Sequence, residues 1–110
     1  MNTQNAQQQP EMTDEDKQNQ QEIFKLADKF IALANNMNMR EKKELWKIGT
    51  AFRFAAARYS SHESAVGSPN LEQDREKLED WINGQFNTML TENMQMQLAI
   101  MKEEQQKPQN

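Results

Sequence analysis

Five groups of side chains have types and spacings that chemistry uses, and each is weighed against a structural role. The first is His62 within SSHES at residues 60–64. Serine beside histidine invites a hydrolase centre. A triad, however, is a set of spatial roles that adjacent loop residues do not supply. No Gly-x-Ser-x-Gly elbow accompanies it. The expectation is a solvated histidine on a loop over 60–68. The second group is Glu72, Asp74, Glu76, Glu79 and Asp80. Glu76 and Asp80 share a helix face, but acids gather at helix N-termini for the dipole alone. A carboxylate-bridged metal pair in a bundle needs Glu-x-x-His on two helices. The chain has one histidine, so that motif does not occur twice.

The third group is Met89, Met94, Met96 and Met101. Thioethers are soft ligands for copper(I). These span more than two turns and point in different directions, which fits an adaptable apolar contact surface better. The fourth is the basic set Lys42, Lys43, Lys47, Arg53 and Arg58, an anion or nucleic-acid patch as the alternative reading. Residues 23–62 carry eight basic and three acidic side chains, net +5; residues 63–110 carry four and nine, net −5. Pairing of the basic stretch with the acidic one, within a chain or between two, explains the same pattern. Aromatics do not interleave with the basic residues; Trp46 alone lies near them. The fifth would be a phosphate loop. With glycine only at 49, 67 and 84, there is none.

The elements that must position these groups are helical. The chain has 110 residues, no cysteine, three glycines and three prolines, and a net charge of −4. Zero cysteine excludes disulfides, cysteine-ligated zinc, iron–sulfur clusters and thiol chemistry. Abundant Gln, Glu, Lys and Ala favours helix, and an all-β fold needs more turn punctuation. The mildly acidic balance argues against non-specific nucleic-acid binding. There is no apolar run of the ~20 residues a membrane span needs. The N-terminus has neither the basic opening nor the apolar run of a secretory signal. A cytoplasmic location is expected, with no membrane, cofactor or metal.

Residues 1–12 (MNTQNAQQQPEM) and 104–110 read as disordered tails around a helical domain at 13–103. Thr13 with Asp16 forms a capping pair that opens helix 1, at 14–36. Its apolar half holds Ile23, Phe24, Leu26, Ala27, Phe30, Ile31, Leu33, Ala34 and Met37. Asn38 with Glu41 reads as a second capping pair, opening helix 2 at 39–61. Its apolar line is Leu45, Ile48, Phe52, Ala55, Ala56 and Tyr59. Gly49 sits inside that helix at a cost of about 1 kcal/mol, where a small residue would permit close helix approach. Ser68 and Pro69 open helix 3, at 70–103, with the proline in the first turn. Its stripe is Leu71, Leu78, Ile82, Phe86, Met89, Met96 and Ile100.

The fold expected is all-α, a three-helix up–down–up bundle with a long C-terminal helix. At about 1.5 Å per residue helix 3 is about 50 Å long, against about 30–35 Å for its partners. Its C-terminal end therefore overhangs, and it carries the loosely patterned apolar residues. Exposed apolar surface of this kind marks a contact site.

Three stretches carry a resemblance: FKLADKFIALAN at 24–35, GTAFRFAAA at 49–57 and DWINGQFNTMLTEN at 80–93. Together they make residues 23–98 similar to a small proteobacterial family catalogued as domain of unknown function 3144. The resemblance implies a small helical bacterial protein and assigns no catalytic or binding residue. The functional expectation is a non-enzymatic interaction protein, a homodimer or a binder of another protein. Met94, Met96, Leu98, Ile100 and Met101 are the expected contact residues.

Overall fold

The computed structural model describes residues 11–107. Residues 1–10 of the expected N-terminal tail and 108–110 of the expected C-terminal tail lie outside the described residues, and residues 104–106 are helix where a tail was expected. The chain is all-α: α1 is Asp14–Met39, α2 is Leu45–Gly67 and α3 is Leu71–Gln106. No strand occurs among the described residues. The described structure divides within α2 into two compact units, one ending at Phe54 and the other beginning at Ala55.

Helix α1 starts where local chemistry dictates. The Thr13 hydroxyl accepts the Asp16 amide at 3.0 Å, and the Asp16 carboxylate accepts the Thr13 amide at 3.2 Å. The reciprocal pair satisfies two of the free donors at the helix start, and three acids there suit the dipole. The end of α1 differs from the expected one. The helix continues through Met39, and Asn38 caps nothing. Its side-chain amide instead donates to the Lys43 carbonyl at 2.9 Å, and the Asn36 amide donates to Glu41 at 3.3 Å. Lys42 takes a left-handed conformation, φ 59°, which turns the chain. Residues 40–44 are thus a loop, and α2 begins six residues later than expected.

The first unit buries one residue, Ile48. Ala27, Ala34, Met37, Asn38 and Gly49 are half-buried around it. Large apolar neighbours on α1 stay in solvent, among them Leu26, Phe30 and Leu33. Close helix approach does not explain Gly49. A methyl built there meets only Arg53 of its own helix, 3.5 Å from the guanidinium. Gly49→Ala is therefore expected to stabilise this unit by about 0.5–1 kcal/mol, through helix propensity. Chemical denaturation of the two proteins checks it, and a loss of stability would restore the packing role.

In the second unit α2 runs on to Gly67, so the loop expected over 60–68 is mostly helix. Serine disfavours helix interiors when it competes for backbone groups. Here the Ser61 hydroxyl donates back to the Ala57 carbonyl at 2.9 Å, inside the helix. The start of α3 is capped by Asn70, whose side chain accepts the Gln73 amide at 3.2 Å. Pro69 precedes the cap rather than occupying the first turn. Ser60, Ser64, Ser68, Asp74, Leu78 and Ile82 are the half-buried residues of this unit. Its α2 face is therefore the serine face. Tyr59 and Val66 of α2 are left 70% and 74% exposed.

Candidate functional site

The candidate site is the C-terminal part of α3. The second half of α2 has 13 residues, 55–67, about 20 Å at 1.5 Å per residue. Helix α3 has 36 residues, about 54 Å by the same rise. An antiparallel partner of 13 residues reaches only the first part of α3. Burial follows that arithmetic: every described residue beyond Ile82 is exposed.

The uncovered part is not polar. Projected at about 100° per residue, Met96, Met89, Ile100, Phe86, Leu90, Met101 and Met94 occupy one arc of about 160°. They are 44–61% exposed. Asn93 lies inside the arc, with its amide donating to the Met89 carbonyl at 2.7 Å. Leu98 sits just outside, 58% exposed. The five expected contact residues, Met94, Met96, Leu98, Ile100 and Met101, are thus all in solvent, and Met94, Met96, Ile100 and Met101 share the arc. Phe86, Met89 and Leu90 belong to it as well. Phe86 and Met89 fall within the expected core stripe of helix 3 and Leu90 beside it, which hid them as contact residues.

The basic set is dispersed. Lys42 and Lys43 lie in the 40–44 loop rather than on α2. Lys47 and Arg53 are on α2 but project about 120° apart, and Arg58 belongs to the second unit. Lys47 is engaged locally. Its ammonium is 3.1 Å from Glu44 and 5.6 Å from the Trp46 ring centroid. The Trp46 indole N–H donates to the same carboxylate at 2.7 Å. That hydrogen bond, then the one from Lys47, holds the Glu44 carboxyl below its ordinary 4.5. A depressed folded-state pKa stabilises above the unfolded value and loses its effect as pH falls through the folded one. The local contribution is therefore present above 4.5 and fades below it. A carbon-detected NMR titration is expected to place Glu44 below 4.5, and Trp46→Phe to move it back up.

The second unit has its own polar detail. An open groove of about 450 Å3 runs between α2 and α3, with Ser60 and Ser64 on one side and Leu78 and Ile82 on the other. Its charged members Arg75 and Glu79 pair with each other at 2.8 Å, which lifts the guanidinium pKa further by that hydrogen bond and then by charge. Asp74 accepts the Ser68 hydroxyl at 2.7 Å. His62 lies on α2, not on a loop, and its ring is tilted by 56° to that of Tyr59, with the centroids 5.8 Å apart. Among the described residues no three His, Asp or Glu side chains converge on a point. No described helix is long and apolar enough to cross a membrane.

No curated protein and no solved structure matches this chain. A family profile does match, over residues 23–97, which spans most of α1, all of α2 and the first three quarters of α3. The chain belongs to the family described as protein of unknown function (DUF3144).

Proposed function

We propose that the protein is a small, cytoplasmic, non-enzymatic interaction protein of bacteria that works by self-association through apolar helix surface. One observation carries the reading: seven large apolar side chains share one arc of α3, and no described residue covers them. Monomers rarely expose a contiguous apolar patch larger than a few hundred Å2, and a patch of that size is often a contact site. The methionines suit that role, because a flexible thioether side chain adapts to a partner surface.

Light scattering behind size exclusion, at low and high salt, tests it. A mass of about twice 12.9 kDa at both salts is the expected result. Persistence at high salt follows from an apolar contact, since salt screens charges and not burial. A single-chain mass at every concentration and salt would overturn self-association.

A further inference from the structure

We propose that the tail of α3 is a site of reversible methionine oxidation: peroxide converts Met89, Met94, Met96 and Met101 to methionine sulfoxide, and the arc then no longer associates. The inference rests on the self-association reading and adds its regulation. Three observations carry it.

The first is where the sulfur lies. The chain has no cysteine, so the thioethers of its eight methionines are its only sulfur. Four of them fall within residues 89–101. That is about 18 Å of helix at 1.5 Å per residue. All four are 47–61% exposed in the single chain, open to a solute as small as hydrogen peroxide.

The second is their place on the arc. Met89 and Met96 stand within about 20° of each other at one border, and Met94 and Met101 are equally close at the other. Ile100, Phe86 and Leu90, which carry no sulfur, fill the middle with Asn93. Oxidation therefore strips both borders at once. The apolar arc shrinks from about 160° to about 80°, narrower than the ~100° stripe with which a helix packs. Leu98, beyond Met94, is cut off from what remains.

The third is that the arc has little to offer a sulfoxide. The sulfur lone pair attacks one peroxide oxygen, the O–O bond breaks and an S–O bond forms. The other oxygen leaves as water with the transferred proton. Sulfur is oxidised by two electrons and the peroxide is reduced by two. A flexible apolar side chain becomes a polar one. Burying the new acceptor without a donor is unfavourable. Asn93 alone among the arc residues has a side-chain donor, and its amide already donates to the Met89 carbonyl. Association covers the thioethers, so peroxide captures the single chain and draws the pair apart by mass action. The step is reversible, because methionine sulfoxide reductases, one for each epimer, return the thioether with a dithiol as reductant.

The full chain in excess hydrogen peroxide tests it, with peptide mass spectrometry and light scattering read together. The two-chain particle is expected to become a single chain as the four methionines gain one oxygen each, with helical circular dichroism kept. Two thioethers lost from the contact, at about tenfold each, weaken association about a hundredfold. Both reductases with dithiothreitol are expected to restore the pair. Leucine at all four positions (Met89→Leu, Met94→Leu, Met96→Leu, Met101→Leu) keeps the apolar arc without its sulfur and is expected to stay paired in peroxide. Met12→Leu with Met39→Leu, outside the arc, is expected to leave the sensitivity unchanged. A further measurement needs no variant: the four methionines are expected to gain oxygen more slowly as protein concentration rises. Pairing that survives oxidation of all four overturns the proposal and leaves self-association standing. A leucine variant that still dissociates, a pair that reduction does not restore, or an oxidation rate indifferent to concentration overturns it as well. If the untreated protein is a single chain, self-association itself has failed.

Discussion

Ile48→Ala is expected to lower the stability of the first unit by about 2–5 kcal/mol, the largest loss of any single truncation on α2. Ile48 is the one buried residue among those described, so its replacement removes apolar contact that no neighbour replaces. Whole domains are stable by only about 5–15 kcal/mol, so a loss of this size removes much of the margin. Tyr59→Ala on the same helix is expected to cost less than about 1 kcal/mol, because Tyr59 is 70% exposed. The sequence pattern alone ranks them otherwise. It puts both on one apolar line and gives the larger loss to the aromatic ring. Urea denaturation of both variants, followed by far-UV circular dichroism, distinguishes the two rankings. Equal losses would mean that the whole line is packed.

That contrast marks where the chain is legible and where it is not. Helix identity is a local property, set by propensity and periodicity. All three helices were readable for that reason, and so was the Thr13–Asp16 cap, which needs only residues three apart. The Asn38–Glu41 pair has the same local signature and fails. Asn36 and Asn38 spend their amides on the loop instead, and Lys42 at φ 59° ends any continuation into a helix. Residues 60–67 mislead in the other direction. Their serines read as a loop, yet the Ser61 hydroxyl bonds back within the helix, and Ser60 and Ser64 line a groove. Helix ends therefore shift by up to six residues, while helix number does not.

Choice of packing face is less legible still. On α2 the most apolar line and the covered residues of the second unit do not coincide. Ser60 and Ser64 are half-buried while Tyr59 is open. A hydrophobic pattern says which face gains most from burial, but not whether a partner reaches it within one chain. The length argument fares better, because rise per residue is fixed. A 36-residue helix outruns a 13-residue partner whatever the side chains, and exposure beyond Ile82 follows. The expected contact residues after Asn93 were accessible to that argument. Phe86, Met89 and Leu90 were not, since they look like ordinary core stripe until the partner is known to stop short.

Cutting the chain after Asn93 is therefore expected to have the second large effect, on assembly rather than on helix formation. The cut removes Met94, Met96, Leu98, Ile100 and Met101 and leaves both units' half-buried residues in place. Mass per particle is expected to fall from two chains to one. Thermal behaviour should change in parallel. An associating protein gains stability with concentration, because folding and assembly are linked by mass action. A tenfold dilution corresponds to about 1.4 kcal/mol, which for a particle of roughly 200 residues moves Tm by about 3–5 °C. The intact protein is expected to show that dependence and the shortened one to melt at the same temperature at every concentration. The removed surface lies wholly in solvent in the single chain, so a purely structural role for it predicts neither change. A shortened protein with unaltered mass and an unaltered melting curve would remove the tail of α3 from the interface.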